Sequence, residues 1–314
     1  MADPQSAGQP LVDPTSIRPL LFSIAYRMLG QVAEAEDIVQ EAFLRWERTR
    51  QEGSPVDSPK AWLAAVTTRL AIDHLRSARV RRESYVGVWL PEPVVEEREP
   101  AAERDVRMAE SLSMAFLLVL DALSPVERAV FLLREVFDYE YGDIAAVVDK
   151  TEANCRQIFT RAKRHIEAGK PRFEASREER DRLAERFFAA CQHGRLDDLV
   201  ALLAEDVAFY GDGGGKVIAV SEPLHGPERV AKFVYGLFLK AQERGLPIRI
   251  VAVNGQPGVE VFDADGGLVS VLAIDIAGGS VVAVRSIVNP EKLAHLGPVS
   301  DALRLPHRTG RPSL

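Results

Sequence analysis

The stretch Leu123–Ile166 constrains this chain more than any other, because its start signals, apolar spacing and tight turn fit little except three short helices in succession. Ser124-Pro125-Val126-Glu127 offers an N-cap, a proline at the first helical position and a capping-box glutamate. A first helix therefore starts there and turns Val130, Leu133, Val136 and Phe137 inward. Tyr141–Val148 reads as a second helix on Ile144, Ala145 and Val148, and Asp149-Lys150 breaks the pattern before Thr151 caps a third. The third helix is basic, with Arg156, Arg161, Lys163, Arg164, Lys170 and Arg172, yet keeps an apolar stripe of Ile158, Phe159, Ala162 and Ile166. A helix of that kind docks by its stripe and presents amide and guanidinium groups to a DNA groove.

Composition limits how such a helix is used. The 314 residues suffice for roughly two or three domains, and 46% hydrophobic content is that of a globular chain. A net charge of −7 argues against non-specific coating of nucleic acid, which depends on neutralising phosphates. DNA contact is therefore expected to be local. Two cysteines, Cys155 and Cys191, make no disulfide framework, and neither they nor the six histidines have metal-ligand spacing. No metal or cofactor is expected. Met1–Pro14 is small and polar, without the basic start and apolar core of a signal peptide, and residues 1–14 read as a disordered lead-in to a cytoplasmic protein.

Residues 15–82 read as a three-helix bundle: Ser16–Leu29, Ala33–Gln51 and Pro59–Ala78, punctuated by Gly30 and by Gly53-Ser54-Pro55. The second helix opens with Glu34, Glu36, Asp37 and Glu41, whereas the third ends with Arg69, Arg76, Arg79, Arg81 and Arg82 around Asp73 and His74. An acidic face and a basic end on one bundle imply two different partners.

Ala35-Glu36-Asp37-Ile38-Val39-Gln40-Glu41-Ala42-Phe43-Leu44-Arg45 resembles the polymerase-binding segment of bacterial extracytoplasmic-function (ECF) sigma factors. Ala61-Trp62-Leu63 and Arg69-Leu70-Ala71-Ile72-Asp73-His74-Leu75-Arg76 resemble the adjoining promoter-melting segment, and Leu123–Arg128 with Tyr141–Arg164 resembles the family's minus-35 reader. The resemblance implies an alternative sigma factor that binds core RNA polymerase and directs sequence-specific initiation. Asp37, Gln40, Glu41 and Leu44 would meet the largest-subunit clamp helices. Arg69, Asp73, His74, Arg76 and Arg79 would meet the minus-10 element. Residues 106–172 would form the minus-35 domain, partnered by the flap of the second-largest subunit, with Thr151, Asn154, Arg156, Gln157, Arg161 and Arg164 on DNA.

The intervening residues 83–105 form a linker whose Tyr85-Val86-Gly87-Val88-Trp89-Leu90-Pro91-Glu92-Pro93 is too apolar to be idle. Beyond Phe173, helices at Arg177, Leu196–Ala204 and Pro227–Glu243 alternate with strands at Val207–Tyr210 and Val217–Val220. Four strand-like runs follow: Pro247–Asn254, Gly258–Asp263, Leu268–Ile276 and Ser280–Val288. The fold class is then multidomain, two all-α domains followed by an α+β domain.

That α+β order, over residues 176–293, resembles the SnoaL-like cone of the ketosteroid-isomerase superfamily, with 294–314 as a tail. The linker, Asp212-Gly213-Gly214-Gly215-Lys216 and Asn289-Pro290-Glu291-Lys292-Leu293 together resemble ECF factors carrying such a domain, which implies modulation in cis. Tyr85, Trp89 and Leu90 are expected to dock either on polymerase or on this domain, where Asp212, Gly213, Gly214, Gly215 and Lys216 are the residues they would meet. A cone cavity lined by Asp212, Lys216, His225, Tyr210 and Arg285 would take a small-molecule ligand, but no sharp catalytic constellation is present and no enzyme activity is expected. The readings of a different class are a one-component repressor with a ligand-binding domain and a DNA-tethered SnoaL-type enzyme.

Overall fold

Start signals and breakers set the element boundaries in the computed structural model, which describes residues 14–83, 85–96, 111–169 and 177–303. The expected lead-in before Pro14, the acidic stretch after Glu96 and the basic end after Leu303 lie outside the described residues. The chain divides into two units, Met1–Arg82 with Val119–Gly169 and Glu83–Leu118 with Lys170–Leu314.

In the first unit α1 (Pro14–Leu29) ends at Gly30, whose φ of +69° suits a residue without Cβ and whose N–H reaches the Tyr26 carbonyl at 2.7 Å. Helices α2 (Val32–Gln51) and α3 (Pro59–Glu83) close a bundle on Leu21, Ile24, Met28, Ile38, Val39, Leu63 and Ile72. Trp46 and Trp62 meet at 5.5 Å between ring centroids. Helix α3 outruns its expected end at Ala78, since nothing from Arg79 to Arg82 breaks a helix.

Helix α4 (Met114–Asp121) crosses the boundary between the units. The capping box then forms as the sequence predicts: Ser124 Oγ accepts from the Glu127 amide while the Glu127 carboxylate accepts from the Ser124 amide, and α5 (Pro125–Phe131) follows. A π-helical turn at Leu132–Val136 leads to α6 (Tyr141–Val148), and Asp149, at φ +53°, turns the chain into α7 (Glu152–Gly169). Ile144, Cys155, Ile158, Ala162 and Ile166 are buried beside Val130 and Leu133.

The second unit is built on a seven-stranded sheet ordered β1-β4-β5-β6-β7-β2-β3. Strand β2 (Leu203–Asp212) runs parallel to β7 (Ser280–Ile287), and the other pairs are antiparallel. The remaining strands are β3 (Leu224–His225), β4 (Ile248–Val253), β5 (Gln256–Phe262) and β6 (Leu268–Ala277). One face packs on α8 (Arg177–His193), α9 (Leu196–Ala201) and α10 (Pro227–Glu243) through a core that includes Phe187, Phe188, Phe209, Val234 and Phe238.

Two expectations fail here. Val217–Val220 is no strand, because the Ile218 amide turns to the Leu303 carbonyl at 3.1 Å instead of to a hairpin partner. The linker residues Val95–Glu96 form the unexpected β1, paired with Val253 and Ala252 of β4.

Candidate interaction surfaces and a linker clamp

The period of α2 decides what it displays. Ala35, Ile38, Val39, Ala42 and Trp46 are buried, which turns Asp37, Gln40, Glu41 and Leu44 outward at i, i+3, i+4 and i+7. Leu44 is 47% exposed, an uncovered leucine inside an acidic stripe, and Glu41 is engaged by Arg45 at 2.7 Å.

Helix α3 distributes its expected DNA residues differently. Asp73 pairs with Arg76 at 3.3 Å, and His74 lies 3.3 Å from Glu34 of α2. Arg79 lies in α3, but its side chain is outside the described residues. Arg69 donates to the carbonyls of Val147 at 3.0 Å and Ala146 at 2.7 Å, where α6 ends. A cation at a helix C-terminus meets unsatisfied carbonyls and the negative end of the helix dipole. The arrangement is reciprocal: buried Arg128 of α5 donates to the Met28 carbonyl near the end of α1 at 2.6 Å and pairs with Asp121 at 2.8 Å. Arg27 sits 5.8 Å from the Phe137 ring, and burial pulls its pKa down to about 10. Arg69 is thus spent on a helix end in this conformation.

The expected reading residues of α7 all face out. Thr151, Asn154, Arg156, Gln157, Arg161 and Arg164 are exposed, and Thr151 caps the helix by accepting from the Asn154 amide at 3.2 Å. Arg156, Gln157 and Arg161 line one groove with Thr160. Arg156 pairs with Glu152 at 3.1 Å, and Arg161 lies 3.5 Å from Glu127.

In the second unit the linker and the glycine loop meet around one carboxylate. Asp212 closes β2 on the sheet face opposite the phenylalanine core and is fully buried. Its Oδ1 accepts from the Tyr85 hydroxyl, while its Oδ2 accepts from the Leu90 amide at 2.8 Å and from Lys292 Nζ at 2.6 Å. Lys292 also donates to the Leu90 carbonyl and lies 4.8 Å and 4.5 Å from the Tyr85 and Trp89 rings. Burial, then the Asp212 carboxylate, push the Tyr85 phenol well above its ordinary pKa. A buried ion pair is retained only where every remaining lone pair and proton finds a partner. Here the Tyr85 hydroxyl and the Leu90 backbone supply those partners.

Glycines permit the approach. A Cβ on Gly214, at φ +59°, would fall 2.3 Å from Asn289 Nδ2, whose donor reaches the Tyr85 hydroxyl at 3.0 Å; one on Gly215 would meet Val86 at 3.0 Å. Gly213 approaches Ala219 and Val217 instead. Lys216 points to the surface and pairs with Glu291. The linker continues under a second pin, Asn254, which accepts from the Val94 amide at 3.0 Å and donates to the Leu112 carbonyl at 3.0 Å. Leu90 and Met114 pack with Val253, Val271, Ile287 and Leu293.

The sequence reading did not assign Lys292, Asn289, Asn254 or Arg128 to these sites. Lys292 stands two residues after a proline in a four-residue helix, α11 (Pro290–Leu293), a run that entered the sequence analysis only as part of a family resemblance. Among the described residues, the five polar side chains expected around a cavity do not converge on one. Arg285 is held by Asp275 at 2.7 Å and stacks 4.8 Å from Tyr210, whose side chain, like that of Asp212, lies on the linker side. His225 is exposed on β3. The alternation of β2 sends Phe209 to the helix side and Tyr210 and Asp212 away from it, so apolar side chains fill the cone's interior.

Comparison with known proteins places three family matches along the chain: Sigma-70 region 2 over residues 15–81, Sigma-70 region 4 over 113–166, and a SnoaL-like domain over 184–288. The chain is 35% identical to the ECF RNA polymerase sigma factor SigJ of Mycobacterium tuberculosis across 94% of its own length and 96% of that protein. It is 32% identical to the probable ECF sigma factor SigI of the same species, across 88% and 92%. A crystal structure of M. tuberculosis SigJ superposes with a TM-score of 0.71 at 32% identity, covering 89% of this chain and 96% of that one.

Proposed function

The chain belongs to the ECF RNA polymerase sigma factors, and from that premise we propose that its SnoaL-like domain controls promoter-directed initiation by gripping the linker between the two sigma regions. The observation that carries this reading is the Asp212 clamp. One buried carboxylate joins the glycine loop, the linker side chain Tyr85, the linker amide of Leu90 and Lys292.

The outward stripe Asp37, Gln40, Glu41 and Leu44 docks on the clamp helices of the polymerase largest subunit, an acidic surface with one apolar anchor suited to a basic, partly apolar groove. The flap of the second-largest subunit holds the helix-turn-helix. Helix α7 reads the minus-35 element in the major groove through Thr151, Asn154, Arg156, Gln157, Arg161 and Arg164. Asp73, His74, Arg76 and Arg79 serve the minus-10 element. Arg69 joins them once its bonds to Ala146 and Val147 are broken, so engagement of DNA by α3 follows its release from the end of α6.

The domain acts as a binding module, not as a SnoaL-type enzyme or a small-molecule sensor, because Phe187, Phe188, Phe209 and Phe238 occupy the interior where a ligand would sit. Among the described residues no helix is long and apolar enough to cross a membrane, in keeping with a factor that works beside the chromosome.

Run-off transcription with purified bacterial core polymerase, on a template carrying the chain's own upstream region, tests the reading. The full chain supports initiation at a defined start, and a truncation ending at Phe173 changes its yield. Equal yields from the two proteins contradict control in cis.

A further inference from the structure

Tyr141 opens α6 and lies outside every surface assigned above, yet among the described residues two guanidinium groups gather on its ring. The Arg156 guanidinium lies 4.4 Å from its centroid and that of Arg134 lies 5.1 Å from it. Arg134 is already fixed by the Tyr139 carbonyl at 2.8 Å and by Glu140 at 3.3 Å. Among the described residues Arg156 is otherwise paired with the exposed Glu152 carboxylate one turn back, a contact worth little by itself. Tyr141 in turn rests edge-on against Phe159 at 6.1 Å and 77°, and Phe159 stacks on buried Phe131 at 6.0 Å. An aromatic series thus runs from the core of α5 to a cation on the outer face of α7.

We infer that Tyr141 is a positioning residue for promoter reading: its ring holds the Arg156 guanidinium in the orientation that recognises a base edge. The inference rests on the assignment of α7 as the minus-35 reader. A planar guanidinium stacked on a ring keeps its edge N–H donors free for paired hydrogen bonds, the geometry that selects guanine O6 and N7 in the major groove. An arginine without that support samples many rotamers and must be ordered when it binds. Helix α6 thereby contributes to specificity without touching DNA.

The test uses holoenzyme assembled from core polymerase and the full chain, selected on a duplex pool randomised through the upstream promoter element. Arg156→Ala flattens base preference at the positions that this arginine reads. Tyr141→Met keeps apolar bulk on Phe159 but has no π face, and it flattens the same positions by roughly two- to fivefold, the range of an exposed cation–π contact. Tyr141→Phe retains the preference. The double variant Tyr141→Met/Arg156→Ala is no flatter than Arg156→Ala alone, as expected of residues acting as a unit.

A helix-turn-helix that is merely loosened loses preference at every position, and that pattern for Tyr141→Met overturns the inference, as does unchanged preference. Tyr141→Phe behaving like Tyr141→Met also overturns it, because the hydroxyl and not the ring would then matter. If Arg156→Ala alters no position, the assignment of α7 as reader fails and the positioning role fails with it. If Arg156→Ala flattens a position that Tyr141→Met leaves intact, only the positioning role fails.

Discussion

Asp212 is the side chain with most at stake, because each of its oxygens is committed in a site without water access. Replacing it by alanine strands the Lys292 ammonium, and breaking one side of a buried pair costs about 3–5 kcal/mol. Denaturant unfolding of Asp212→Ala should register a loss of that size, whereas Lys216→Ala, at the exposed end of the same loop, should stay within about 0.5 kcal/mol of the parent. Tyr85 adds a pH dependence of fixed sign. Its folded pKa is raised, so its contribution is complete below the unfolded value of about 10 and is lost as the solution becomes more alkaline. Stability followed by circular dichroism should therefore fall above about pH 10, and Tyr85→Phe should reduce that fall. Gly214 is constrained twice, by φ +59° and by Asn289 in the space of a Cβ, so Gly214→Ala destabilises by more than about 1 kcal/mol in the same assay.

At the level of elements, the helix-turn-helix was the most legible part, since local chemistry writes it: an N-cap, a proline and a glutamate at fixed spacing, then a break at Asp149. Ser124→Ala should cost about 1 kcal/mol of thermal stability. The hydrogen bond from Ser124 holds the Glu127 carboxyl below the usual range. Its contribution is therefore present at neutral pH and lost as pH falls through that lowered value. The acidic face of α2 was legible from its spacing, whereas Gln40 and Leu44 were assigned to it by the resemblance, and the observed burial of Ile38 and Ala42 leaves Leu44 outward. What local sequence could not convey is pairing at a distance. Strand β1 is two residues long and exists only because β4 offers an edge, and Asn254 reaches the preceding Val94 across 160 residues of chain. Val217–Val220 has strand-like composition, yet the Leu303 carbonyl takes its Ile218 amide. Arg69 carried the signal of a DNA contact, and only the folded unit reveals that it caps α6. Removing it with Arg69→Ala should loosen α3 from α6, which amide exchange near the end of α6 would record as faster exchange.

On the scale of the whole molecule, the sequence separates two sigma regions and a SnoaL-like domain, and the structure partitions the chain differently. The linker that divides the sigma regions in sequence belongs to the unit of the SnoaL-like domain, where Leu90 is fully buried. The control in cis proposed above rests on this ownership of the linker by the SnoaL-like unit. No local pattern announces this, because Asp212, Leu90 and Lys292 are separated by 122 and 80 residues. The glycine loop and the apolar linker hinted at it only as a pair. The most direct test is core-dependent run-off transcription by the full-length chain carrying Asp212→Ala, beside Asp263→Ala, whose carboxylate serves an exposed turn of the same domain. The account predicts that Asp212→Ala changes transcript yield at saturating core while Asp263→Ala matches the parent. Parent-like yield from Asp212→Ala, with Leu90 shown to be released by faster amide exchange, would contradict it.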